Sequence, residues 1–167
     1  MVSLASRPYT PLAFANEFVR LSAPNGIQHM KLQKLTYYAY GWWLAYYPEP
    51  ILSEAPQVWK HGPVFESMYH ALKHNGNDPI LYAESSTPVN APPFIDDGDS
   101  EVRELVDWVW AKYGSYGSLY LSERTHEKGT PWQKSAAALQ YRIPYGYQIP
   151  DETIRAYFKD MATNSRI

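Results

Sequence analysis

The chain has 167 residues and no cysteine, and its 15 lysines and arginines nearly balance 17 aspartates and glutamates, for a formal charge of −2. Disulfides, thiolate metal sites and a cysteine nucleophile are thereby excluded, and no global positive field exists to gather nucleic acid or anionic lipid. The unusual feature is 15 tyrosines and 6 tryptophans, side chains that suit cores and protein interfaces alike because each joins a large apolar area to a polar tip.

Met1–Pro8 contains no basic segment leading into an apolar run, and no apolar stretch approaches the roughly 20 residues of a membrane span. The expectation is a soluble cytoplasmic protein with no membrane partner, organised as a single domain over residues 1–167. Thr10-Pro11 opens a first helix running to about Leu21, with Thr10 as cap, Pro11 where no bonded N–H is lost, and Leu12, Ala15, Phe18 and Val19 facing inward. Pro24-Asn25-Gly26 is a turn.

The stretch from Met30 to Val64 organises the rest, and much of it is a helix that begins at about Gln28. At about 100° per residue, Leu32, Leu35, Ala39, Trp42, Trp43 and Tyr46 share one stripe, and Gln33, Tyr37, Tyr40, Leu44 and Tyr47 a second. Only a narrow sector with Lys31, Lys34, Tyr38, Gly41 and Ala45 lacks large aliphatic groups. A helix apolar over most of its circumference is surrounded by other elements, so this is the central helix. Its Lys31/Lys34 sector, beside Tyr38 and Gly41, is either a solvated sliver or a basic rim for a partner. Gly41 costs about 1 kcal/mol relative to alanine inside a helix, which a close approach by another helix would justify.

Pro48-Glu49-Pro50 ends the central helix. Ile51–Lys60 is short and β-leaning and suits a small hairpin or an ordered loop. Gly62-Pro63 is expected to start a helix bearing Val64, Met68, Ala71 and Leu72, stopped by Asn75-Gly76. Asn77 to Asp99, with four prolines and an acidic run, reads as a long exposed connection, open to proteases. Further helices follow: one capped by Asp99 or Ser100 with Val102, Leu105, Val106, Val109, Trp110 and Tyr113; a short one from Ser118; one from Thr130-Pro131; and a last one capped by Asp151. Tyr141–Gln148 is irregular or a short strand. The fold class expected is all-α, about six helices around a central aromatic-rich helix with at most a minor β-hairpin.

Catalytic constellations are hard to assemble. His70 and His74 share a helix face with Glu66 but lack a third ligand at zinc-site spacing. His126 has Ser122 and Glu123 nearby, without the strand-to-helix elbow that exposes a hydrolase serine. Gly114–Ser118 matches no phosphate-binding fingerprint, and Asp96, Asp97 and Asp99 lack the closing glutamate of a calcium loop. No catalytic residue, metal or cofactor is assigned.

Three groups of residues carry a resemblance. Lys31-Leu32-Gln33-Lys34-Leu35, continued by Tyr37-Tyr38-Ala39 and Gly41-Trp42, is followed by Trp59-Lys60-His61-Gly62-Pro63-Val64 and then by Thr125-His126 with Pro131-Trp132. Together they resemble the Panacea domain of the SocA-like, or GepA-like, phage-associated antitoxins, over about Ala15 to Met161. Tyr40 and Trp43 depart from the pattern, where glutamine and histidine are expected. The resemblance implies a mainly helical domain that neutralises a toxin encoded beside it, by binding it or by presenting it to an ATP-dependent protease. Trp59, His126 and Trp132 each belong to a motif at an element junction, where an aromatic or a bonded imidazole locks neighbouring helices, and are expected to be structural before they are functional. The competing readings are a hydrolase centred on His126, His61 or the His70/His74 pair, and a DNA-binding autoregulator, against which the near-neutral charge weighs.

Overall fold

A computed structural model describes residues 6–164. Its elements, in order, are α1 (Pro11–Ser22), α2 (His29–Tyr46), β1 (Gln57–Trp59), β2 (Gly62–Val64), α3 (Glu66–Leu72) with a 3₁₀ turn at Lys73–Asn75, α4 (Ser100–Tyr113), α5 (Ser118–His126), α6 (Pro131–Ala138) and α7 (Asp151–Asn164). The all-α expectation holds, with seven helices among the described residues and one two-stranded antiparallel hairpin.

Helix α2 is the axis. Only Met30, Lys31 and Tyr46 escape burial along its length, and α1, α3, α4, α5, α7 and β2 all pack on it. Gly41 allows the closest approach. A Cβ built there would lie 2.1 Å from Cε2 of Phe158 on α7, so the ring occupies the space a side chain would need. Around it, Tyr38 stacks on Tyr113 of α4 at 4.0 Å, and Trp42 meets Phe158 edge-on at 5.2 Å while donating its indole N–H to Oη of Tyr113 at 2.9 Å. The C-terminus of α2 carries no basic residue of its own. Arg155 of α7 supplies the missing donors, reaching the carbonyls of Leu44, Tyr47 and Pro48.

Polar side chains fasten the flanking segments. Asp99 caps α4 and also accepts from the guanidinium of Arg7 (2.6 and 2.9 Å) and from Oη of Tyr9 (2.8 Å), joining the segment before α1 to the start of α4. The connection from Asn77 to Asp99 has no regular structure yet is not a free linker. Ile80 pairs with Ile27, and Ile80 and Ile95 are buried. Buried Asn16 of α1 donates to the carbonyls of Glu84 and Pro93 at 2.8 and 2.9 Å and accepts from the amide of Glu84. Glu17, also buried, accepts from the amide of Ile95 at 3.0 Å. These anchor points qualify the expectation of a long exposed connection; its longest exposed run is Ser86–Pro92.

One element boundary also differs from expectation. Gly62-Pro63 does not open a helix but forms β2, and α3 starts at Glu66. The register pairs Gln57 with Val64, Val58 with Pro63 and Trp59 with Gly62 around the turn Lys60-His61. Gly62 has φ +113°, a conformation that glycine alone adopts at no steric cost and that a helix start does not use.

Candidate functional site

The hairpin is held by its backbone, and the side chains that hold it come from three separate helices. Gln33 of α2 accepts the amide N–H of Phe65 at 2.9 Å and donates to the carbonyl of the same residue at 3.3 Å. Lys34, one residue on, donates from Nζ to the carbonyl of Pro63 at 2.9 Å. Ser122 of α5 donates to the carbonyl of His61 at 2.6 Å, and the indole of Trp132 in α6 donates to the carbonyl of Trp59 at 2.7 Å. Every second residue from Trp59 to Phe65 is thus fixed by a side chain from α2, α5 or α6. Gly62 lies where these converge; a Cβ there would sit 2.8 Å from Oγ1 of Thr125 and 3.1 Å from Nζ of Lys34.

Behind the hairpin, the α5–α6 junction is equally determined. Thr125 and His126 both donate to the carbonyl of Ser122, which orients the serine toward the hairpin. His126 meets Trp132 edge-on at 5.3 Å. Pro131 occupies the first turn of α6, whose cap is Thr130. His126 is therefore turned into its own helix, and its ring supports the tryptophan that grips Trp59.

Between α2, the hairpin and α3 lies a cleft of about 300 Å³. Trp59 and Tyr69 form one wall with ring centroids 4.7 Å apart, and His29 lies 5.6 Å from Tyr69. Lys34, Lys60 and His61 from the turn, and Lys73 after α3 are among the other residues that line the cleft. Burial without a neighbouring carboxylate pushes the Lys34 ammonium down to about 7. Burial, with Lys34 and His74 adding repulsion, pushes His29 down to about 4. The neutral imidazole this implies agrees with Nε2 of Gln33 donating to Nε2 of His29 at 3.1 Å.

The sequence reading of a basic rim on α2 requires correction. Lys34 is 1% exposed, and Tyr38 and Gly41 are buried against α4 and α7. Lys31 is half-buried, its Nζ 2.5 Å from the carbonyl of Gly114 at the end of α4 and 5.6 Å from the Trp110 ring. The sector looked polar because lysine counts as polar in any periodicity. Its long stem instead carries the ammonium to carbonyls that need a donor. The departing residues are inward as well: Tyr40 bonds Asp151 at the start of α7, and Trp43 donates to the carbonyl of Glu49.

Of the motif residues, Leu32, Leu35, Tyr37 and Trp42 are core, whereas Gln33, Lys34, Trp59, His61, Gly62, Pro63, Val64, Thr125, His126, Pro131 and Trp132 assemble at or behind the hairpin. Ser122, Tyr69, His29 and Lys73 had no such assignment, and nothing in local spacing distinguishes them. His70 and His74 do not converge: the first faces Glu66 at 3.6 Å and the second Glu84 at 3.2 Å. No described helix is long and apolar enough to cross a membrane.

The family model described as antitoxin SocA-like, Panacea domain, matches residues 32–133, a span from the core of α2 to the residue after Trp132. Among curated proteins, the antitoxin SocA of Caulobacter vibrioides (strain NA1000 / CB15N) is 26% identical over 140 residues, covering 80% of this chain and 72% of the relative. No solved structure matches.

Proposed function

We propose that this chain, which belongs to the SocA-like antitoxin family with its Panacea domain, is the antitoxin of a bacterial or phage toxin–antitoxin module. In this reading it acts in the cytoplasm as one domain and neutralises a cognate protein toxin by binding it directly, with no catalytic step. The observation that supports this is where the motif's polar atoms go. Gln33, Lys34, Ser122 and Trp132 are committed to the backbone of the hairpin, and His126 to the carbonyl of Ser122. None of them faces a nucleophile it would activate. Instead a short hairpin is held rigid, its Lys60-His61 turn exposed beside a partly aromatic cleft. Preorganisation of that kind lowers the ordering cost of association.

The test is co-expression with the protein encoded beside this one. The expected result is rescue of growth together with a one-to-one complex that survives size-exclusion chromatography. Rescue without any complex, at a small fraction of the toxin's concentration, would overturn direct neutralisation and favour delivery to an ATP-dependent protease. Deleting that protease then separates the two routes.

A further inference from the structure

The charge around the cleft is one-sided. Its lining includes Lys34, Lys60, Lys73, His29 and His61 and no aspartate or glutamate. Five arginines elsewhere, Arg7, Arg20, Arg103, Arg124 and Arg155, each stand within 4 Å of a carboxylate of this chain. No lysine among the described residues forms such a pair, the three of the cleft included, so what sets the cleft apart is the absence of any carboxylate from its lining. In a protein with a net charge of −2, the rim of this cleft carries two exposed ammonium groups, Lys60 and Lys73, with no carboxylate in the lining to offset them. Charges of one sign around a low-dielectric concavity reinforce one another at its mouth. Trp59 and Tyr69 add an apolar wall that is only partly buried.

We propose that this cleft receives an acidic segment of the protein partner, whose carboxylates meet Lys60 and Lys73 at the rim while an adjacent apolar side chain lies against Trp59 and Tyr69. The proposal rests on the reading of the chain as a toxin-binding antitoxin and adds the chemistry of the segment that docks. Lys60 and Lys73 are exposed and bond to nothing that holds the fold, so their ammonium groups are free to engage. The hairpin clamp gives the cleft its purpose: it keeps the Lys60-His61 turn and the Trp59 ring in fixed relation to Lys73 on the other side. Charge pairs at such a rim set partner choice and association rate, and the aromatic wall slows dissociation.

The experiment compares toxin binding by the wild type, by Lys60→Glu with Lys73→Glu, and by Lys134→Glu with Lys159→Glu as an equal change of charge on α6 and α7. Binding is measured by biolayer interferometry at two salt concentrations, with melting temperatures recorded for all three. The cleft variant is expected to lose at least about thirtyfold in affinity, while the control loses no more than about threefold and both melt near the wild type. The milder pair Lys60→Gln with Lys73→Gln should show an intermediate loss if reversal perturbs the fold. Soluble poly-L-glutamate should compete with the toxin for the wild type and not for the cleft variant. Equal losses in the cleft variant and the control overturn the acidic-segment proposal and leave direct binding intact. Competition by single-stranded DNA of matched charge, without competition by poly-L-glutamate, also overturns it and assigns the cleft to nucleic acid. If the wild type binds no toxin at all, the antitoxin reading and the docking proposal fall together.

Discussion

The two ends of α2 solve different problems. Toward its C-terminus the helix is fitted by shape: Gly41 accepts the Phe158 ring, Tyr38 stacks on Tyr113 and Trp42 packs between α4 and α7. Toward its N-terminus it reaches out with polar tips: Gln33 and Lys34 bond the backbone of a hairpin whose Lys60-His61 turn stays exposed. Aromatic packing supplies stability with little regard for which backbone groups it touches, because dispersion and burial are non-directional. Hydrogen bonds to carbonyls supply position, because each fixes a distance and an angle. One helix therefore anchors the core at one end and aims a surface at the other.

Substitutions at each end can break this contrast. The largest effect is expected for Phe158→Ala, which empties the space beside Gly41 and should cost about 3–5 kcal/mol in chemical denaturation. A loss below about 1 kcal/mol would show that the aromatic end is not what stabilises the fold. Gly41→Ala should follow at roughly 1–3 kcal/mol, because its Cβ would overlap Phe158 unless α7 moves. Combining it with Phe158→Leu should recover part of that loss, and simple additivity would deny the contact.

At the other end the expected signature is a functional loss larger than the loss of stability. Gln33→Leu keeps the volume but leaves the amide of Phe65 without its partner, while the carbonyl keeps only the amide of Tyr69, at a cost of about 1–3 kcal/mol. Toxin binding measured on the folded fraction should still fall. Unchanged binding in a folded Gln33→Leu protein would mean that hairpin position is not what the partner reads.

A pH series sharpens the same point at Lys34. Its folded value is about 7, while the ordinary lysine value is 10.5, so over that interval the unfolded chain holds a proton that the folded chain has released. Wild-type stability therefore rises with pH relative to Lys34→Met, by at most about 1.4 kcal/mol per unit. Urea titrations of both proteins at pH 6.5, 8 and 9 measure the difference, and a flat difference would place the ammonium in solvent. The smallest effect belongs to Lys31→Met, which removes the donor to Gly114 at the end of α4 and should cost about 0.5–1.5 kcal/mol.

The contrast also explains what could be read from the residues alone. The aromatic end obeys periodicity, and the stripes of α2, the close approach at Gly41 and the inward faces of α1, α4 and α7 follow from helical spacing. The polar end does not. A lysine or glutamine on a helix announces neither burial nor the carbonyl it will find some thirty residues away, so Lys34 looked exposed and Gly62-Pro63 looked like a helix start. Family resemblance gathered the motif residues together. It could not show that they act on one backbone segment, nor include Ser122 and Tyr69, which reach the site only through the packing of α5 and α3.

Asn16 has a consequence for engineering. One buried carboxamide holds both ends of a surface excursion, meeting Glu84 at the way out and Pro93 at the way back. The residues between them are mostly exposed, and the closure does not depend on their side chains. Lengthening such a closed excursion from about eight to about sixteen residues costs only about 0.6 kcal/mol in chain entropy. A peptide tag, a protease site or a small reporter grafted after Val89 should therefore leave the helices as they are. The same graft in an Asn16→Ala background, with the tether gone, should loosen the molecule around it.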